Sequence, residues 1–364
     1  MNELKKVVFF GSDAIALPVL ETLISAPLRA LVRIEAIYTQ PDRPSGRGQK
    51  IQPNAIAQWA KDFKIPLYQP EKLGEEDVAR LKEIGCDIGL VMAYGHILKQ
   101  DMLDAPTLGF FNYHASLLPH FRGPAPIEAA IASGDTGTGV TLQRIVPALD
   151  QGDVVGSAVI PLDNDSTRAS LRERISEACT FITIDTLPRI IRGDAERIVQ
   201  PEKHASYTRK ISRADSAIDF SVSAKMIAAR TRALSPWPGC TFPFNGMEIK
   251  LAVVSGTANA EKLLNKVKAG EADYHFIEVM GCPGGCVNGG GQPHQPASVR
   301  NFTDIRAKRA EALYAIDAAN SIRRSHENPA IKSIYDEFFG EPNSHKAHEV
   351  LHTTYVKRGL YNNK

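Results

Sequence analysis

An asparagine and a histidine two positions apart, in GFFNYHASLLPHFRGPAPIEAAI, carry the clearest chemistry of this 364-residue chain. The residues ahead of them read as a strand, and alternate residues of a strand share a face, so Asn112 and His114 point the same way. A neutral amide donor beside an imidazole suits acyl transfer. The amide can stabilise a developing oxyanion, and the imidazole can move a proton near neutral pH. Downstream, ALDQGD places Asp150 in a loop after the next strand, where a carboxylate could orient the histidine and raise its basicity, or fix a water. A second pattern lies far along the chain. Cys282 and Cys286 stand four apart in MGCPGGCVNGGGQP, a glycine-rich loop of the kind that wraps a metal cluster. Cys86, Cys179 and Cys240 are scattered and read as small buried hydrophobes.

The elements that must position these groups follow from hydrophobic pattern. KVVFF, RIEAIYTQ, KIPLYQ, DIGLVMAY and GFFNYHAS read as strands, and LPVLETLI, NAIAQWAKDF, EEDVARLKEI and APIEAAIASG as the helices between them. Continuous apolar strands alternating with amphipathic helices predict an α/β fold: a doubly wound, mostly parallel sheet covered on both faces. Ligands of such sheets sit outside the carboxyl ends of the strands. The first turn, FFGSDAIALP, has only Gly11 where a dinucleotide fingerprint wants three glycines, which excludes an NAD site. A long helix is expected over STRASLRERISEACTFITIDTLPRII, then a linker near VQPEKHASYTRK, then a helix around SAKMIAARTRAL. Short strands in WPGCTFPFNGMEIKLAVV resemble the opening of a small β barrel. Beyond about Ser255 the chain reads as helix-rich, with one strand, YHFIEVM, and with Asn328 capping a helix that starts at Pro329 and ends at Gly340.

Length predicts two or three domains, and 43% apolar residues supply ample core material. A net charge of +2 announces neither nucleic acid nor membrane, so any such partner must meet a local basic patch. MNELKKVVFF is too short for a signal sequence and no apolar run reaches a membrane span, so a cytoplasmic chain without a disulfide framework is expected.

FFGSDAIALPVLETL, YTQPDRPSGRGQK, MAYGHIL, FNYHASLLPHFRGPAPIEAAI, LDQGD, ASYTRKISRADSAIDF and RALSPWPG together closely resemble the methionyl-tRNA formyltransferase family, over roughly the first 250 residues. The resemblance implies a formyltransferase-type, Rossmann-like catalytic domain over 1–204 and a truncated start of the family's C-terminal barrel over 205–254. It implies 10-formyltetrahydrofolate as co-substrate, bound near Tyr94, Gly95, Ser116, Leu117, Leu118 and Pro119. The α-amine of methionyl initiator tRNA would attack the formyl carbon, with Asn112 on the oxyanion, His114 moving the proton and Asp150 positioning the histidine or a water. Arg43, Arg47 and Lys50 in QPDRPSGRGQK would form the arm that meets the tRNA acceptor stem. No metal and no covalent intermediate are implied, and the chain is expected to act as a monomer. A sugar nucleotide as acceptor is the alternative within this chemistry.

FIEVMGCPGGCVNGGGQP, ALYAIDAANSIRRSHENPAIKSIYDEFFGEP and SHKAHEVLHTTY resemble the carboxyl-terminal end of iron-only hydrogenase, over about 255–364. By that resemblance Cys282 and Cys286 are two of four thiolate ligands to a four-iron cluster. The family's motifs for the other two ligands do not occur in the chain. The pair is therefore read as vestigial ligands, and as an iron–sulfur site only if the missing ligands come from elsewhere. Their spacing fits no zinc pattern. Both families are incomplete at the join, so exposed apolar surface is expected over 205–364.

Overall fold

The computed structural model describes residues 3–45, 50–282, 286–289 and 291–352. The chain forms two compact units, Met1–Lys250 and Leu251–Lys364. Among the described residues no helix is long and apolar enough to cross a membrane.

The first unit is built on a seven-stranded sheet. Its strands are β1 (Lys5–Gly11), β2 (Val32–Tyr38), then β5 (Leu67–Tyr68), β6 (Ile88–Met92), β7 (Gly109–His114), β8 (Gly137–Arg144) and β9 (Val154–Pro161); the short strands β3 (Arg43–Ser45) and β4 (Lys50–Gln52) form a separate hairpin. The sheet order is β5-β2-β1-β6-β7-β8-β9. The five strands up to β7 pair in parallel, and β8 and β9 then run antiparallel to their neighbours. The mostly parallel, doubly wound sheet predicted from the sequence is thus present.

Alternation explains the two covered faces. Val7 and Phe9 of β1 pack with Val19, Leu20 and Leu23 of the helix Leu17–Ile24 and with Leu171, Ile175 and Cys179 of the helix Arg168–Arg192. Val8 and Phe10 turn the other way, against Tyr38, Leu81 and Phe110. A strand buried on both faces must be apolar at every position, which is why β6 reads IGLVM without a polar break. The long helix predicted after β9 is bounded by a Thr167–Ser170 capping box and by Gly193 at φ +80°.

Chain order reverses between β1 and β6. Crossovers after β1 run outward to β2 and β5, and the later ones run to β7 on the opposite side. Connections leaving in opposite directions open a crevice at the carboxyl ends of β1 and β6.

In QPDRPSGRGQK the described ends pair as a hairpin, with Arg43 opposite Gln52 and Ser45 opposite Lys50. One sequence expectation differs from the structure. VQPEKHASYTRK, read as a linker, is bound into the first unit. The Phe121 amide donates to Ser206 Oγ (2.8 Å), the Arg122 amide to the Ser206 carbonyl (2.8 Å) and the Thr208 amide to the Arg122 carbonyl (2.7 Å). Its polar residues, which read as solvated, are partners for backbone groups that the adjacent turn would otherwise leave unpaired. The unit closes with β10 (Thr241–Phe244), paired antiparallel to the start of β11 (Met247–Ser255) across Asn245 and Gly246. Both turn residues have positive φ (+48° and +77°), the backbone that a two-residue hairpin requires and that Asn-Gly adopts most readily.

In the second unit, β11 pairs in parallel with β12 (Phe276–Met280), joined by the helix Thr257–Lys268. Helices Ile305–Ala319, Pro329–Ile334 and His345–Leu351 follow, the second capped by Asn328 as expected. Among the described residues of this unit the only buried apolar side chains are Ala260 and Ala347. The helix Ile305–Ala319 buries none.

Candidate active site

The crevice at the carboxyl ends of the strands is a cleft of about 690 Å³, within the roughly 300–1,000 Å³ usual for small-molecule sites. Asn112 and His114, at the end of β7, both line it. Tyr113 between them points the opposite way, and its hydroxyl meets Thr183 Oγ1 at 2.7 Å in the core. The period of two read from the sequence therefore holds at the strand end. The Asn112 side-chain amide has no hydrogen-bond partner among the described residues, so its N–H groups are available to the cleft. His114 is held at one nitrogen: Nε2 lies 2.9 Å from the Phe121 carbonyl. A carbonyl only accepts, so Nε2 carries hydrogen and Nδ1 of the neutral ring is the free base.

Asp150 faces that base, with Oδ2 3.7 Å from Nδ1. The carboxylate is fixed from both sides: Oδ2 accepts from the Gly123 amide at 2.8 Å and Oδ1 from Gln143 Nε2 at 2.8 Å. Its backbone is left-handed, at φ +52°. Aspartate tolerates that conformation better than most residues with a Cβ, and here its neighbours select it. Gly152 supplies part of the enforcement, since a Cβ there would stand 1.6 Å from the Arg144 carbonyl oxygen. The loop after β8 folds back onto its own strand that closely only because position 152 has no side chain.

Tyr94 and Gly95 also line the cleft, on the loop after β6. The Tyr94 hydroxyl is buried without a partner among the described residues, and burial pushes its ionisation well above the ordinary phenol range. Ser116, Leu117, Leu118 and Pro119 are not among the cleft's lining residues. They form the turn beneath it: Ser116 Oγ donates to the His120 carbonyl (2.6 Å), and Thr141 Oγ1 donates to the Ser116 carbonyl (2.7 Å) while accepting from the Leu118 amide (3.0 Å). This turn carries the chain from His114 to Phe121, whose carbonyl holds the imidazole.

Several side chains at the site were not singled out from the sequence. Gln143 lies on β8 and grips Asp150. His96 Nε2, on the cleft wall, is buried without a partner among the described residues. On another wall, Arg168 pairs with Glu128 (2.8 Å) and Arg172 with Asp13. The available signals were weak: a lone histidine inside MAYGHIL, and two arginines spaced one helical turn apart in STRASLRERI.

Arg43 lies at the root of the hairpin, exposed, with Nη2 3.3 Å from Glu71 Oε2. The root itself is pinned to the cleft, because Gln40 Nε2 donates to the Tyr94 carbonyl at 3.1 Å. Lys50 begins β4, and Arg47 lies outside the described residues. Of the five cysteines, Cys86 and Cys179 are buried in the first unit and Cys240 is half-buried. Burial pushes the Cys86 thiol up to about 12 and raises Cys179 as well, the opposite of what a thiolate ligand needs. Cys282 is half-buried and Cys286 exposed. Arg309 donates to the Val287 and Pro293 carbonyls and so anchors their loop to the helix Ile305–Ala319. No group of three or more His, Cys, Asp or Glu among the described residues is placed to hold a metal. A four-iron cluster takes four thiolates, and the residues described do not fit one.

Comparison with known proteins finds two kinds of relative along the chain. The profile of the family described as Formyl transferase matches residues 5–187. Profiles described as Iron only hydrogenase large subunit, C-terminal domain, and Iron hydrogenase small subunit match residues 205–290 and 303–358. The first of these begins well ahead of the boundary near 255 expected from the sequence. The methionyl-tRNA formyltransferase of Marinobacter nauticus is 41% identical over 235 residues, spanning 64% of this chain and 74% of that protein. That of Methylococcus capsulatus is 38% identical over 247 residues, 68% of this chain and 79% of that one. Among solved structures, an N-formyltransferase from Helicobacter canadensis in complex with folinic acid and dTDP-3-aminofucose aligns with TM-score 0.52 at 20% identity, covering 68% of this chain and 86% of that one. A sugar N-formyltransferase from Shewanella aligns with TM-score 0.54 at 14% identity, covering 68% and 96%. At such identities the likeness to these structures is one of fold.

The close approach at position 152 is directly testable. Gly152→Ala is expected to lower the unfolding free energy by roughly 2 kcal/mol or more, in the range of overpacked interiors, measured by urea denaturation. An unfolding midpoint equal to that of the native chain would contradict the geometry.

Proposed function

Because the chain belongs to the methionyl-tRNA formyltransferase family, we propose that its cleft transfers the formyl group of 10-formyltetrahydrofolate to the α-amine of methionyl initiator tRNA. The observation that carries this reading is the unpartnered amide of Asn112 beside the free Nδ1 of His114 and the clamped carboxylate of Asp150. All three line one cleft at the point where the sheet reverses order.

Each side chain takes a role from its chemistry. Attack of the amine forms a C–N bond and puts negative charge on the formyl oxygen, and Asn112 donates its free N–H to that oxyanion. The amine must then shed a proton and the folate nitrogen must gain one as its bond to the formyl carbon breaks. His114 accepts at Nδ1 and returns the proton to the leaving nitrogen, while Nε2 stays bound to the Phe121 carbonyl. The ring is cationic between the two transfers. Asp150 then stands against an imidazolium, where its charge stabilises the ring most. Tyr94, Gly95 and the apolar loop after β6 supply a wall for the folate ring system. Ser116 to Pro119 act beneath the cleft by fixing the His114–Phe121 turn. Arg43, with Arg47 and Lys50, meets the tRNA phosphates; the exposed Glu71 contact is one that a phosphate can displace.

The solved sugar N-formyltransferases share the fold, but the methionyl-tRNA formyltransferases are the relatives at high sequence identity. The tRNA acceptor is therefore the reading adopted. The hydrogenase reading of the tail has two of the four thiolates it needs.

A formylation assay with charged initiator tRNA and 10-formyltetrahydrofolate tests the proposal. Asn112→Ala is expected to lower turnover on the order of 100- to 1000-fold, as loss of an oxyanion donor does. Near-native turnover in the folded variant would refute the assignment. Arg43→Ala is expected to raise the KM for tRNA, most strongly at low salt, and to leave the KM for folate in place. An unchanged tRNA KM would remove Arg43 from the arm.

A further inference from the structure

Behind Asp150 lies a continuous path of polar side chains that the transfer chemistry does not touch. Gln200 Nε2 donates to the Asp150 carbonyl at 2.9 Å and to the Gly152 carbonyl at 2.7 Å, so one amide grips the loop on both sides of Gln151. Gln200 Oε1 accepts from Arg122 Nε (3.1 Å) and Nη2 (3.0 Å). Arg122 is 1% exposed, and its Nη1 reaches Glu202 Oε2 (2.8 Å) and the Tyr207 hydroxyl (2.7 Å).

We infer that Gln200 is a positioning residue for formyl transfer, holding the Asp150 loop in the left-handed turn that aims the carboxylate at His114. This rests on the role of Asp150 proposed above. The direction of the Gln200 amide is not free. A guanidinium only donates, so the oxygen must face Arg122 and the NH₂ must face the loop carbonyls. The loop needs such a grip, because φ +52° at Asp150 is a left-handed backbone that aspartate tolerates but does not require. Gly123 and Gln143 hold the side chain of Asp150, and Gln200 holds its backbone. Residues 200–207, beyond the last helix of the sheet, thereby reach the chemistry without touching a substrate.

Gln200→Glu and Gln200→Leu test the inference in the full-length chain, with Asn112→Ala run alongside and folding checked by thermal melting. The glutamate keeps the acceptor for Arg122 and loses both donors to the loop. The leucine loses both halves, and if it does not fold the glutamate variant decides. The expected result is a kcat about tenfold lower or more, with the KM for tRNA and for folate both within about twofold of native, as for a misplaced catalytic group. A folded Gln200→Glu with native kcat, or one whose loss falls on KM, would overturn it. If Asn112→Ala also keeps native turnover, it is the formyl-transfer reading that fails. If only the Gln200 variants keep it, the positioning role fails alone.

Discussion

One constraint governs the site: a carboxylate must be carried on a left-handed backbone turn and still face an imidazole on the neighbouring strand. Asp150 meets it through contacts on every side. The Gly123 amide and Gln143 take its two oxygens, Gln200 takes its carbonyl, and Gly152 lets the loop close onto the Arg144 carbonyl. A single contact would not offset the cost of ordering the loop; four together over-determine it. The rest of the unit supplies these partners from distant places in the chain. β8 brings Gln143, the turn after β7 brings Gly123 and Arg122, and the segment after the long helix brings Gln200. On the proposed reading, the catalytic geometry therefore depends on three separate stretches docking at once.

How much of this was legible in the sequence depends on whether the signal is local. β1, β2, β6 and β7 could be read because strands buried on both faces must be continuously apolar. Asn112 and His114 could be assigned to one face because strand periodicity is short-range. Asp150 was found as a loop carboxylate in ALDQGD. Its left-handed turn was not, since aspartate tolerates that conformation without requiring it. Gln200 and Arg122 left no trace at all. Their partners lie 50 and 78 residues away, and such contacts impose no period on the sequence. For the same reason the stretch VQPEKHASYTRK looked like a solvated linker, although its serine and threonine are partners for the turn at Arg122. Ser116–Pro119 was expected near the folate, and the contacts of Ser116 and Leu118 with Thr141 of β8 and with His120, which impose no period on the sequence, were not foreseen.

The two units contrast in how they bury apolar surface. In the first, both faces of the sheet are covered and a whole set of strand and helix side chains reaches zero exposure. In the second, two alanines are the only buried apolar side chains among the described residues, while Phe302, Leu313, Tyr314 and Ile316 are exposed. Hydrophobic stabilisation scales with the area removed from water, at about 25 cal/mol per Å², and alanine contributes little of it. The exposed apolar surface expected for the tail is present. Cys282 and Cys286 sit in this unit, in a loop tied by Arg309. Nothing among its described residues adds the further ligands that a cluster would take.

The central claim is that Asp150 acts through His114 as one catalytic unit. A double-mutant cycle of His114→Ala and Asp150→Asn, read in kcat/KM for formyl transfer, tests it most directly. If the two act as a unit, the double variant should be slower than the worse single variant by no more than about threefold. Losses that multiply fully would mean that the carboxylate and the imidazole work independently, and the account built on their 3.7 Å approach would be wrong.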